Sequence, residues 1–166
     1  MEFSTKDEYV DCIVEVLKII KKNKGRICSS LKHCLNELLD PTYYDGKHNI
    51  SKKAFEEAKT LGISDKIISM TWLQLGKYKS DKNISGNGRR AFILEHYYLR
   101  SYIRQELFEL KNPNRNDVKK IITENLKTCI ITAEEDLKLK ELGYASKRPD
   151  PKKAYKEAGI ELKHSW

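Results

Sequence analysis

The segment AFILEHYYLRSYIRQELFEL, residues 91–110, decides the predicted fold. Its apolar residues recur at intervals of three and four: Leu99, Ile103, Leu107 and Leu110. This spacing places side chains on one face of an α-helix, where they can pack into a core. The Asn-Pro-Asn sequence at 112–114 would end such a helix, because proline lacks the backbone N–H that a helix needs. The segment therefore predicts the longest helix of the chain.

Helical patterns continue on both sides of this segment. Helix N-caps are expected at three positions: at Thr5, with Glu8 three residues later; at Ser51; and at Thr132, with Glu135 three residues later. One stretch, TCIIT at 128–132, is short, apolar and β-branched, and it predicts a strand that pairs with residues 160–162. We therefore expect a mainly α fold: a multi-helix domain with a small two-stranded β ribbon near the C-terminus.

The domain organisation follows from length and from one irregular segment. A chain of 166 residues is the size of one ordinary domain, so residues 1–166 are expected to form a single domain. The segment KSDKNISGNGRR, residues 79–90, lacks periodicity and contains glycine and asparagine, which predicts a flexible basic loop. Residues 1–78 before this loop are considered as an N-terminal helical subdomain.

Composition restricts the class of partner and the location. Lys and Arg number 32 against 24 Asp and Glu, which gives a net charge of +8 and a pI near 9.2. Such a charge favours nucleic acid, acidic protein surfaces or anionic membranes. No apolar run reaches the roughly 18–20 residues that span a bilayer, and the first ten residues lack a signal-peptide pattern. We expect a cytoplasmic protein without membrane contact, and the Lys-, Ile- and Asn-rich usage is compatible with a prokaryote or a phage.

The positive charge is concentrated in the middle of the chain. Residues 77–104 contain seven basic and two acidic residues, net +5. A basic loop that leads into a helix rich in Arg and Tyr is typical of surfaces that follow a phosphate backbone and stack bases. The predicted DNA- or RNA-binding residues are Lys77, Lys79, Lys82, Arg89, Arg90, Tyr97, Arg100 and Arg104. The alternative is a solvated loop with ordinary ion pairs.

The Glu95-His96 pair raises the question of catalysis. A histidine beside a carboxylate can activate water or hold a divalent metal. Neighbouring residues on a helix point about 100° apart, so the two side chains need further ligands from elsewhere. Asp45 and His48, in the turn at 43–48, are the predicted donors. The candidate catalytic residues are thus Glu95 and His96, and the candidate metal ligands are these four residues with Mg²⁺ as the ion.

Several stretches together resemble small bacterial proteins, some of which are similar to restriction-associated or HNH-type nucleases. They are LDPTYYDGKHNIS at 39–51, MTWLQLGKY at 70–78, FILEHYYLRSYI at 92–103, IITAEEDLKLKELGYASKRPD at 130–150 and AYKEAGIEL at 154–162. The resemblance implies a defence or mobile-element setting, with Glu95-His96 and the junction at 132–136 as the matching positions. HNH-type nucleases carry a further Asn and His downstream on a ββα unit, whereas only His164 follows His96 here.

Three functions remain open at this point, and the sequence does not decide whether the protein is an enzyme. The first is nucleic-acid binding, or association with a nucleoprotein, in phage–host defence or counter-defence. The second is a metal-dependent nuclease of the restriction or HNH-like type. The third is a protein-interaction module or inhibitor that docks on a partner through its basic face. The first expectation requires that the cationic side chains of 77–104 gather on one open surface.

Overall fold

A computed structural model describes residues 5–23, 29–40, 48–84 and 88–164. Within these ranges, the helices are α1 (Lys6–Lys22), α2 (Ser29–Leu38), α3 (Lys52–Thr60), a 3₁₀ helix (Ile67–Ser69), α4 (Trp72–Leu75), α5 (Arg100–Glu109), α6 (Arg115–Asn125), α7 (Ala133–Glu141) and α8 (Pro151–Glu157). The strands are β1 (Asn49–Ile50), β2 (Lys79–Ile84), β3 (Gly88–Arg90), β4 (Phe92–His96) and β5 (Thr128–Thr132). The prediction of a mainly α protein is confirmed.

Helix starts follow the capping residues seen in the sequence. The Thr5 hydroxyl accepts a hydrogen bond from the Glu8 backbone N–H at 3.1 Å, and α1 begins at Lys6, directly after Thr5. Ser51 caps α3 in the same way. At α7, Thr132 and Glu135 form a reciprocal capping box. Each cap satisfies a backbone N–H that the first helical turn leaves without an intrahelical acceptor.

The chain divides into two compact units, each built from two separate stretches of sequence. Unit 1 consists of residues 1–45 and 98–126, and unit 2 of residues 46–97 and 127–166. The helical subdomain considered for residues 1–78 does not coincide with either unit, because residues 46–78 belong to unit 2.

In its described residues, unit 1 contains the helices α1, α2, α5 and α6 around an apolar core. Tyr9, Ile13 and Leu17 of α1 are fully buried, and Ile103 and Leu107 of α5 join the same cluster. Removing each such side chain from water stabilises the unit by about 1.5–3 kcal/mol. The intervals of three and four residues on each helix bring these side chains to one face, so the sequence pattern and the core agree.

Unit 2 is organised around a three-stranded sheet with the order β1-β5-β4. β5 is central, parallel to β1 and antiparallel to β4. One face packs against α3, the 3₁₀ helix and α4 through Ile50, Phe92 and Ile130. The other face packs against α7 and α8 through Ile93 and Ile131. Successive strand residues point to opposite faces, so a strand covered on both faces is apolar throughout.

The single helix predicted for residues 91–110 is wrong for the first half of this segment. The structure forms strand β4 at Phe92–His96 and begins α5 only at Arg100. Phe92 and Ile93 are both buried because they face different layers of the same sheet. A short apolar run of this kind satisfies a buried strand and a buried helix equally well. The helical spacing of Ile103 and Leu107 holds only for the second half of the segment.

The β structure also differs from the predicted two-stranded ribbon. The predicted ribbon pairs 129–131 with 160–162, but β5 pairs with β4 and β1. Leu162 instead forms an isolated bridge with Ser51. The segment 79–90, predicted as a loop, contributes strands β2 and β3, which pair with each other. The sequence does not predict these strands, because their Lys-, Asn- and Ser-rich composition lacks the apolar alternation of a half-buried strand.

In the described part of the chain, no helix is both long enough and apolar enough to cross a membrane.

Candidate nucleic-acid interface

Strands β2 and β3 form an antiparallel hairpin in unit 2. Lys79 lies directly opposite Arg90 in the ladder, so these two side chains share one face of the hairpin. Arg89, the neighbour of Arg90 in the strand, points to the other face. Gly88 begins β3 with a φ of +61°, a conformation that glycine adopts without steric cost. We call β2 and β3 together with Lys77, which precedes them, the basic hairpin.

In the part of the chain that the structure describes, four cations of the basic hairpin form no ion pair with a carboxylate. The Lys79 ammonium donates to the Gly76 carbonyl at 2.8 Å. In the ranges that the structure describes, no carboxylate forms an ion pair with Lys77, Lys79, Arg89 or Arg90. The side chain of Lys82 lies outside the described part. Many cations elsewhere are paired: Lys52 with Glu161, Lys59 with Glu56, Arg115 with Asp11 and Lys119 with Asp7.

An exposed aromatic side chain, Trp72, lies beside the hairpin. The Arg90 guanidinium stacks over the Trp72 ring, 4.8 Å from its centroid. Trp72 is 39% exposed and Leu73 is 79% exposed, whereas Leu75 takes the buried position of α4. Helix α4 spans one turn, so it can bury only part of the sequence Trp-Leu-Gln-Leu. No signal in the sequence separates the exposed Trp72 from a core residue.

Tyr97, predicted to stack on bases, contacts the interior of unit 2. Its ring meets the Tyr155 ring edge to face, with centroids 4.9 Å apart. Burial raises the pKa of the Tyr97 phenol. Such edge-to-face pairs stabilise packing by about 0.5–1.5 kcal/mol beyond the apolar area they bury. The structure therefore places this ring in a packing contact within unit 2.

Arg100 and Arg104 belong to α5, hence to unit 1. The Arg104 guanidinium donates to the Asn36 side-chain oxygen at 2.5 Å. Arg100 is exposed and lies 3.4 Å from the Asn36 carbonyl oxygen. The predicted cationic binding residues therefore fall into two sets, one on the basic hairpin of unit 2 and one on α5 of unit 1.

Glu95 and His96 are successive residues of β4, so their side chains point to opposite faces of the sheet. Glu95 forms an ion pair with Arg148, a fully buried side chain. Burial raises the pKa of the Glu95 carboxyl, and the neighbouring Arg148 guanidinium opposes that rise. The strand geometry separates the two candidate catalytic groups more than the predicted helix would have done.

His48 and His96 both neighbour one residue, Thr128. The His48 Nδ1 atom lies 2.6 Å from the buried Thr128 hydroxyl, and His96 is directly opposite Thr128 in the β4–β5 ladder. Asp45, the fourth predicted ligand, lies outside the described residues. Among the residues that the structure describes, His, Cys, Asp and Glu form no group of three that could hold a metal. The metal site stays a prediction that depends on Asp45.

Net charge differs sharply between the two units. Unit 2 contains 19 basic and 12 acidic residues, net +7, while unit 1 contains 13 basic and 12 acidic residues, net +1. Almost all of the chain's net positive charge therefore belongs to the unit that carries the basic hairpin. Long-range attraction of a polyanion follows net charge and its distribution, so it acts mainly on unit 2.

No family model, curated protein or solved structure matches this chain.

Proposed function

We propose that the protein binds nucleic acid, DNA or RNA, free or within a nucleoprotein, through the basic hairpin of unit 2. The observation that supports this most strongly is the set of four hairpin cations without an acidic partner in the described part of the chain: Lys77, Lys79, Arg89 and Arg90. They lie in the unit with a net charge of +7. A cytoplasmic location and a setting in defence or counter-defence belong to the same proposal.

Electrostatics explains why such a hairpin favours a phosphate backbone. Lys79 and Arg90 face each other across the ladder, and like charges in that position destabilise a hairpin by about 0.2–1 kcal/mol. Phosphate oxygens relieve this repulsion, and each neutralised phosphate releases condensed counterions, which drives binding. A two-stranded ribbon also fits the major groove of a duplex, and an exposed aromatic ring such as Trp72 provides a surface for an unpaired base.

The test is a salt titration of binding. We expect a labelled 20-residue single strand and the matching duplex to bind the full chain with log K falling linearly against log salt between 50 and 300 mM. Arg89→Ala and Arg90→Ala should each reduce the slope by about one, because each removes one phosphate contact. Fluorescence anisotropy measures both quantities.

Arg115→Ala is the matched control, since Arg115 is exposed but paired with Asp11 in unit 1. Its slope should equal that of the unmodified chain. The proposal is wrong if neither nucleic acid binds at 50 mM salt, or if Arg89→Ala and Arg90→Ala behave like Arg115→Ala. Arg100 and Arg104 stay predicted contacts of unit 1, and Arg100→Ala in the same titration tests them separately.

A further inference from the structure

A cavity of about 430 Å³ opens beside the basic hairpin, entirely within unit 2. The hairpin contributes Lys79, Asp81 and Arg90 to its wall. The end of α3 contributes Thr60 and Leu61, and the start of α7 contributes Glu134. This volume lies in the range of about 300–1,000 Å³ that is typical of small-molecule sites in proteins.

We propose that this cavity takes one unpaired nucleotide of a bound strand, with its phosphate between Lys79 and Arg90 and its base inside. The proposal rests on the nucleic-acid binding proposed above and specifies what one part of that surface recognises. It commits to a nucleotide with an exocyclic amino group, namely that of adenine, cytosine or guanine.

The position of the phosphate follows from the two facing cations. Lys79 and Arg90 are directly opposite each other, share one face of the hairpin and both line the cavity. No carboxylate in the described ranges forms an ion pair with either of them, although Asp81 lines the same wall. A phosphate at this point accepts hydrogen bonds from the ammonium and from the guanidinium together, and guanidinium groups bind phosphate oxygens in pairs.

The identity of the base follows from the rest of the lining. Carboxylates of Glu57, Asp81 and Glu134 border the cavity, so a ligand with negative charge alone would meet repulsion there. An exocyclic amino group donates hydrogen bonds to a carboxylate, as cytosine does to Asp and Glu. Leu61 offers an apolar contact to the flat face of the ring. A nucleotide combines the anion and the amino donor that this lining requires, whereas uracil lacks the amino group.

The experiment is isothermal titration calorimetry on the full chain with four probes of one series: the 5′-monophosphates of adenosine, cytidine, guanosine and uridine. Inorganic phosphate and cytidine are the partial ligands. We expect the three amino-bearing monophosphates to bind at least tenfold more tightly than either partial ligand, and about tenfold more tightly than uridine monophosphate.

Two variants separate the cavity from the charged surface. Thr60→Trp fills the cavity from an exposed position without changing charge and should abolish monophosphate binding. Ser69→Trp places the same ring at an exposed position of unit 2 that does not line the cavity. This variant should bind the monophosphates as tightly as the unmodified chain does. Lys79→Gln should weaken the binding of cytidine monophosphate at least tenfold and leave the binding of cytidine unchanged. This variant tests the site even if Thr60→Trp does not fold.

The outcomes distinguish this inference from the proposed function. If no monophosphate binds more tightly than inorganic phosphate while strands still bind in a salt-dependent way, the cavity proposal is overturned and the hairpin proposal stands. Monophosphate binding that is equal in Thr60→Trp and Ser69→Trp also overturns it. If monophosphates bind as expected but no strand binds at 50 mM salt, the cavity is a nucleotide site and the strand-binding function fails.

Discussion

Arg148 is a fully buried cation in unit 2 and depends on few partners. Its guanidinium forms the ion pair with Glu95, and its Nε donates to the Tyr144 carbonyl at 3.3 Å. Its Nη1 atom and the Tyr155 hydroxyl are buried without hydrogen-bond partners in the described part of the chain. A buried ion pair holds only while both members are present, because either charge alone is poorly solvated.

Arg148→Ala should therefore lower the free energy of unfolding by about 3 kcal/mol, because it leaves the Glu95 carboxylate largely buried without its counter-ion. Urea denaturation at pH 7 measures the change. The control is the double variant Glu95→Leu with Arg148→Met, which removes both charges and should recover most of the loss. A cost below about 1 kcal/mol for Arg148→Ala would contradict this account of the pair.

Tyr98 of unit 1 makes the free energy of unfolding depend on pH in the alkaline range. Burial, followed by its hydrogen bond to the Glu106 carboxylate, raises the pKa of the Tyr98 phenol to about 12. The folded protein holds this proton more tightly than the unfolded chain, whose pKa is near 10. The stabilisation is therefore complete below pH 10 and is lost as pH rises towards 12.

Comparing the full chain with Tyr98→Phe isolates this effect from the other tyrosines. The unmodified protein should lose more free energy of unfolding between pH 9 and pH 11 than the variant does. Urea denaturation at pH 9, 10 and 11 measures the difference. Parallel pH profiles for the two proteins would show that Tyr98 does not contribute.

At the scale of single elements, the basic hairpin depends on the backbone at Gly88. Its φ of +61° lies in the left-handed region, and a Cβ there would meet no atom within 4 Å. Gly88→Ala should therefore destabilise the pairing of β2 with β3 by about 1 kcal/mol through backbone strain alone. Hydrogen exchange of the amides in 79–84 and 88–90 should become faster.

Gly88→Asn is the matched control for this prediction, because asparagine tolerates the left-handed region better than alanine does. Its exchange rates should lie between those of alanine and glycine. Equal protection in all three proteins would mean that the backbone at Gly88 does not limit the stability of the hairpin.

The sequence predicts elements well where one residue has one local role. Thr5, Ser51 and Thr132 each cap the helix expected to follow them, since a cap needs only neighbours along the chain. The strand TCIIT at 128–132 is also confirmed. Its partners could not be predicted, because pairing depends on residues 49–50 and 92–96, far away in sequence.

The candidate site could be predicted only in part, for a related reason. Charge is a property of single residues, so the concentration around 77–90 is visible in the sequence. The contact of Arg90 with Trp72 and the separation of Glu95 from His96 depend on strand geometry, which a helical interpretation conceals. The Glu95–Arg148 pair joins residues 53 positions apart, and no local pattern indicates it.

At the scale of the whole molecule, unit 2 is interrupted by residues 98–126 of unit 1. The two ends of this interruption lie close together, since the Tyr97 backbone N–H donates to the Lys127 carbonyl at 2.9 Å. They continue directly from the paired strands β4 and β5. A two-residue Asn-Gly turn is a common connection between antiparallel strands, so it should be able to close this gap.

A chain of residues 46–97, an Asn-Gly turn and residues 127–166 should therefore fold and bind nucleic acid in a salt-dependent way. Its salt slope should fall below that of the full protein by no more than the contribution of Arg100 and Arg104. It retains the basic hairpin and the net charge of +7. Circular dichroism and the anisotropy titration measure the two properties. A matched chain that carries Arg89→Ala provides the control. If the fragment folds but does not bind nucleic acid in a salt-dependent way, the nucleic-acid interface lies on unit 1 and not on the basic hairpin.

The central position of β5 has a consequence for synthesis on the ribosome. β1 and β4 leave the ribosome first, yet each pairs with β5 and not with the other. Helices α1, α2, α5 and α6 of unit 1 precede β5 in the chain. Unit 1 can therefore fold before unit 2 completes its sheet, because the sheet lacks its central strand until β5 is synthesised. Until β5 has left the ribosome, the unpaired backbone N–H and C=O groups of β1 and β4 stay open to intermolecular pairing, so a delay before β5 emerges would promote aggregation of the nascent chain.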